Sequence, residues 1–152
     1  MKKLITMCFL FISAAVFAHA PLLSVDDNND GTIYIEAGFS NGEKAEGMEF
    51  IIVKDKPYNG PEDTYEGKMI IFKGKFDKKS SAVILKPLTP KYEVIFNGGE
   101  AHIITKKGPK LEENEIPDWK EKVEKADYLN EWKEKLEKDD YLKEWKDKMS
   151  QK

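Results

Sequence analysis

Six short runs of β-branched and aromatic residues, each bounded by Gly, Pro, Asn or Asp, dictate what this chain can fold into before Gly108. They are Thr32 to Phe39, Met48 to Lys54, Lys68 to Lys73, Ala82 to Lys86, Tyr92 to Phe96 and His102 to Lys106. Runs of this length and spacing predict six or seven antiparallel strands in an all-β sandwich of the Ig-like or transthyretin-like kind. No helical period interrupts them, which excludes a parallel α/β sheet. Ile33 and Ile35 alternate with polar neighbours, and Tyr92, Val94 and Phe96 alternate with Glu93 and Ile95, so each strand is expected to keep one wet face.

The pattern changes at Gly108-Pro109. From there a repeat of thirteen residues is headed by Trp119, Trp132 and Trp145, with Val123, Leu136 and Met149 four places on. Thirteen residues turn an ideal helix by about 220°, so the copies cannot share one straight stripe. Within a copy the spacing suits a helix: Ile116, Trp119 and Val123 stand at i, i+3 and i+7, as do Leu129, Trp132 and Leu136, and Leu142, Trp145 and Met149. The expectation is a charged helical tail of three short helices, or one long helix whose seam winds. Asp127 and Asp140 are expected N-caps, and Glu121 to Lys125, Glu131 to Lys135 and Glu144 to Lys148 are pairs at i, i+4. Because the strand runs precede Gly108, residues 19–108 are expected to hold the whole core. Residues 109–152 are expected to add little stability.

The first residues set the compartment. Lys2 and Lys3, the apolar run Leu4 to Val16 and the small residues after it form an export signal. Cleavage fits after Ala18 or after Ala20, and Pro21 just behind the second position favours the first. Residues 1–18 are then the signal and His19 the mature terminus, in a periplasmic or secreted protein with no transmembrane segment left after cleavage. The single cysteine, Cys8, leaves with the signal, so no disulfide is expected. Removing Lys2 and Lys3 takes the net charge from -3 to -5, which argues against a nucleic-acid partner. All fixed positive charge is lysine, so no guanidinium fork is present for phosphate or carboxylate.

Few residues offer chemistry. A terminal His19 carries an amine and an imidazole, a two-nitrogen chelate, and His102 is the other histidine. If the first and last strands meet, these three nitrogens suit Ni, Co or Cu, with Glu100 placed to complete the set. Asp26-x-Asn28-x-Asp30-Gly31 has the first half of a calcium loop, but its twelfth position is Ala37, so a turn is expected. No nucleophile with a base, glycine-rich phosphate loop or paired helical His appears, and no enzymatic activity is expected. Trp119, Trp132 and Trp145, each among Lys and Glu, either dock a partner or pack on the sandwich.

The stretch from His19 through IYIEAGFSNGEKAEGMEFIIV, with YEVIFNGGEAHIITKKG near the domain end, resembles the small Ig-like or transthyretin-like periplasmic domains that accompany nickel and cobalt uptake systems. The resemblance spans about residues 18–108 and implicates His19 and His102. It implies a non-enzymatic accessory protein that presents a transition metal to a transporter subunit. The loop KDKPYNGPEDTYEGK and the tryptophan tail have no counterpart in that family. They keep open a second reading, a structural or adhesive module that binds a cell-envelope protein through the tail.

Overall fold

A computed structural model describes residues 19–99 and 101–151. Residues 1–18, where an export signal is expected, and Glu100, expected near a metal, lie outside the described residues. The chain is mostly β, with eight strands in two antiparallel sheets. These are β1 Pro21–Asp27, β2 Thr32–Phe39, β3 Glu49–Pro57, β4 Thr64–Tyr65, β5 Lys68–Lys75, β6 Ser81–Leu85, β7 Tyr92–Asn97 and β8 Ile103–Lys107. One sheet has the order β1-β2-β6 and the other β4-β5-β3-β7-β8. β1 lies beside β8, so the sheets curl toward each other at that edge. Between them pack Ile33, Ile35 and Phe39 from β2, Phe50 and Ile52 from β3, and Tyr92, Val94 and Phe96 from β7.

All six runs read from the sequence are strands. Two more were not foreseen. In β1 the adjacent Leu22 and Leu23 hide the alternation, although Leu23 faces inward at 5% exposure and Leu22 outward at 52%. The two-residue β4 pairs with β5 inside the Pro- and Gly-rich loop, too short to carry a pattern. The single wet face holds for β2, whose Glu36 is exposed, but not for β7. Ile95 is buried with Ile51 and Val53 on the outer face of the larger sheet, beneath Tyr65 and Ile70.

The C-terminal residues form a 3-10 turn, Glu113–Glu115, and three short helices, α1 Ile116–Lys125, α2 Asn130–Glu137 and α3 Asp139–Ser150. Three helices form because each break resets the phase, so every copy of the repeat can turn its apolar triplet the same way. The pairs Lys125–Glu121 at 2.5 Å and Lys135–Glu131 at 2.6 Å are present, as is Lys148–Glu144. Asp127 and Asp140 do not cap. Leu129 precedes α2 and Lys138 precedes α3, neither with a side-chain cap, because burial of Leu129 rather than a cap fixes where the chain turns.

The expected confinement of the core before Gly108 is corrected by the packing. Leu85 and Leu88 of the sandwich are buried with Leu111, Trp119, Val123, Trp132 and Trp145, and Ile71 and Phe72 of β5 pack on the same cluster. At the crossover, Gly108 passes so close to Tyr92 that a Cβ would lie 2.0 Å from its ring, and the Tyr92 hydroxyl donates to the Pro109 carbonyl at 2.8 Å.

A buried ion pair locks the two parts. Lys86, at 0% exposure, sets its ammonium 2.7 Å from Asp27 Oδ1 and 2.7 Å from Glu115 Oε2. Glu115 also accepts from the N–H groups of Gly31 at 3.1 Å and Glu112 at 2.8 Å. Trp119 Nε1 donates to the Lys86 carbonyl at 2.8 Å. Gly31, at φ 82°, lies against Trp119, where a Cβ would come within 2.7 Å of the tryptophan Cβ.

Deleting residues 110–152 uncovers Leu85, Leu88 and Phe72 and leaves Lys86 buried without Glu115. The shortened chain is expected to lose at least about 3 kcal/mol, read from urea unfolding against the full chain. Glu115→Gln should cost about 3–5 kcal/mol near neutrality by removing one charge of a buried pair. Burial alone raises the Glu115 carboxyl. The hydrogen bonds from Lys86, Glu112 and Gly31 outweigh it and hold the group below its ordinary 4.5. Its contribution is therefore complete above that value and is lost as pH falls through the lower folded one. The deficit of Glu115→Gln should accordingly shrink in acid, measured by the same unfolding experiment.

Candidate functional site

The residues singled out from the sequence fall into two regions. At the N-terminal corner, Ala20 and Ser40 exchange hydrogen bonds: the Ala20 N–H donates to Ser40 Oγ at 3.0 Å and the Ser40 N–H to the Ala20 carbonyl at 2.9 Å. Pro21 pairs with Phe39, whose ring meets Phe96 edge-on at 5.6 Å and His102 at 5.9 Å. His102 closes the β7–β8 turn through its N–H to the Gly99 carbonyl and its carbonyl to the Gly98 N–H. β1 pairs with β2 and runs beside β8, so the strand that follows His19 and the strand that follows His102 are neighbours, and both histidines are half-buried. Among the described residues no three His, Cys, Asp or Glu side chains gather closely enough to hold a metal.

The Asp26–Gly31 segment is a turn with its carboxylates engaged. Asp26 accepts from the Ser24 hydroxyl, Asp27 accepts the Asn29 N–H and pairs with Lys86, and Asp30 accepts from Thr32 and pairs with Lys122 at 2.7 Å. The Lys122 and Thr32 bonds hold Asp30 below its ordinary range.

Trp119, Trp132 and Trp145 are 0%, 6% and 3% exposed. Trp119 and Trp132 stack with centroids 6.1 Å apart. As docking faces they are corrected, since each indole turns inward onto the sandwich, which offered the larger apolar surface.

A cleft that sequence reading missed lies where α2 and α3 cross the Lys54 end of β3. It consists of two adjoining cavities, about 320 and 450 Å³, that share Lys54, Leu88 and Tyr141. Lys54 is half-buried and is pushed below its ordinary 10.5 first by that burial and then by Lys56, Lys135 and Lys148. Among the described residues, Lys54, Lys56 and Lys91 have no carboxylate within ion-pair distance. The acids lining the larger cavity are already paired, Asp55 with Lys68 at 3.5 Å and with Lys107 at 3.9 Å, and Glu144 with Lys148. Trp145 forms part of the wall, and its buried Nε1 has no acceptor among the described residues. The spacing Lys54-x-Lys56 at a strand end was the sequence signal, but it is indistinguishable there from an ordinary solvated edge.

Among the described residues no helix is long and apolar enough to cross a membrane. Compared with known protein families, with curated proteins and with solved structures, the chain matches none.

Burial of the indoles has a direct optical consequence. Iodide should quench the tryptophan fluorescence of the folded chain only weakly and reach the unfolded-chain value in urea. Trp119→Ala should cost about 3–5 kcal/mol, the usual loss for a fully buried aromatic. Strong quenching in the folded state would place the indoles on the surface.

Proposed function

We propose that the chain is an exported, non-enzymatic accessory protein that binds a transition metal, Ni, Co or Cu, at its N-terminal corner and presents it to an uptake system. The sandwich is read as Ig-like or transthyretin-like. The observation that supports it is that the strands following His19 and His102 are neighbours, and that Phe39, paired with Pro21, packs its ring on His102. With the chain starting at His19, the amine and its imidazole form one chelate and the His102 imidazole supplies a third nitrogen. Such a set favours borderline metals over Ca or Mg. Edge-on packing against Phe39 fixes the plane of the His102 ring, which lowers the ordering cost of binding. Glu100, two residues before His102 in the sequence, offers a carboxylate for a further position. An open, partly exposed corner suits handing a metal on to a transporter subunit better than storing it.

The chain beginning at His19, titrated with Ni, Co, Cu and Zn, tests this reading. A metal at a hundred times its dissociation constant should stabilise the fold by about 2.7 kcal/mol. His102→Ala, or one residue added ahead of His19, should abolish that gain. Equal stabilisation of the blocked-terminus protein would remove the corner as the site.

A further inference from the structure

We propose that the cleft between α2–α3 and the Lys54 end of β3 binds a small organic anion, a carboxylate or phosphate carried on a flat apolar body. The larger cavity, about 450 Å³, has the size of a pocket for one small molecule. Lysines outnumber acids in its lining, with Lys54, Lys56, Lys91 and Lys148 against Asp55 and Glu144. Lys54, Lys56 and Lys91 line it without acid partners, whereas Asp55 and Glu144 are held by other lysines. A half-buried ammonium among like charges is unfavourable until an anion arrives, and the depressed proton affinity of Lys54 has the same origin.

The opposite wall is apolar. Leu88, Pro90 and the rings of Tyr141 and Trp145 form a surface for a flat body rather than for a bare ion. Trp145 adds an unsatisfied donor, because its buried N–H has no acceptor among the described residues. Buried donors without partners are rare in folded proteins, and this one belongs to a residue of the cavity wall. Lysines act on an anion as point charges and set no planar geometry, so the ring wall, not the charge, selects the ligand. A free small molecule fits a concave site of this volume, and the surface of a lipid bilayer does not.

The full chain beginning at His19, held in a metal chelator so that the N-terminal corner plays no part, is titrated calorimetrically with phenyl phosphate, benzoate and inorganic phosphate. Saturable one-to-one binding is expected for at least one aromatic anion, with inorganic phosphate about tenfold weaker or more for want of the apolar contact. Lys54→Met removes a desolvated charge and should fold at least as well as the parent. It should weaken the aromatic anion by about tenfold or more, the usual scale of one charge-assisted contact, while the exposed Lys78→Met changes nothing. In an NMR titration the indole N–H resonance of Trp145, assigned through Trp145→Phe, should move and that of Trp119 should stay. Absence of saturable binding by both aromatic anions, equal affinity in Lys54→Met, or an equal loss in Lys78→Met would overturn the site. Lys54-dependent binding to phosphatidylglycerol vesicles without binding of either aromatic anion would also overturn it, in favour of a lipid surface.

Discussion

The ammonium of Lys86 is buried at the junction of sandwich and tail, and everything beyond Gly108 takes its position from it. Removing such an ion from water costs several kcal/mol even after relaxation, and only close carboxylates with satisfied lone pairs offset that cost. Glu115 meets the requirement with both oxygens on Lys86, and Asp27 adds a further contact. Glu115 is itself completed by two backbone N–H groups, those of Gly31 and Glu112. Asp27, Gly31 and Lys86 belong to the sandwich, while Glu112 and Glu115 belong to the tail. Pulling the tail away would leave the Lys86 ammonium with Asp27 alone on one side and strip the Glu115 carboxylate of Lys86 and the Gly31 N–H on the other. The tail is therefore a component of the fold, despite its high charge and short helices.

The same anchor decides where the repeat goes. Trp119 rests on Gly31 with its N–H on the Lys86 carbonyl, and Trp132 stacks on Trp119. α3 then brings Trp145 into the same cluster, against Leu88. On an unbroken helix the thirteen-residue step would send successive indoles around the cylinder. Breaking the chain between Lys125 and Asn130, and again at Lys138, lets each copy face the sandwich. Coverage stops short of β3's far end. Lys54 is left under α2 and α3 without an acid partner, and the cleft is the space between them.

The sequence made the strands legible because their β-branched runs and turn residues repeat a signal over many positions. The apolar triplets of the tail and its i, i+4 pairs were legible for the same reason. Three things were not. β1 carries two adjacent leucines, Leu22 and Leu23, directly after its first residue, so its alternation is masked. The partnership of sandwich and tail rests on Lys86 meeting Glu115, twenty-nine positions apart, and a lysine closing a strand run reads locally as a solvated end. Whether an indole faces solvent or a core is equally a tertiary matter, because the spacing that makes a docking face is the spacing that makes a packing face. His19 and His102 were legible as residue types, while the distance between them is set by how β1 and β8 pack, which no local pattern in the sequence encodes. The cleft was not legible, since its lysines come from β3, the Pro87–Lys91 segment and α3 and are ordinary surface residues in each.

The two regions sit at opposite ends of the larger sheet. β7 starts at Tyr92, paired with Lys54 beside the cleft, and ends at Asn97, next to the turn that holds His102. At about 3.3 Å per residue, the strand alone separates them by about 17 Å. That strand is fully sandwiched, with Val94 and Phe96 in the inner core and Ile95 in the outer cluster, so it offers no second arrangement through which one end could report to the other. Coupling between sites needs an element with two states, and a strand packed on both faces is a poor candidate for one. A metal at the N-terminal corner and an anion in the cleft should therefore bind independently, each with the affinity it has when the other is absent. The ion pair at Lys86, which belongs to neither region, would hold the helices on the sandwich whichever of the two proposed ligands is bound.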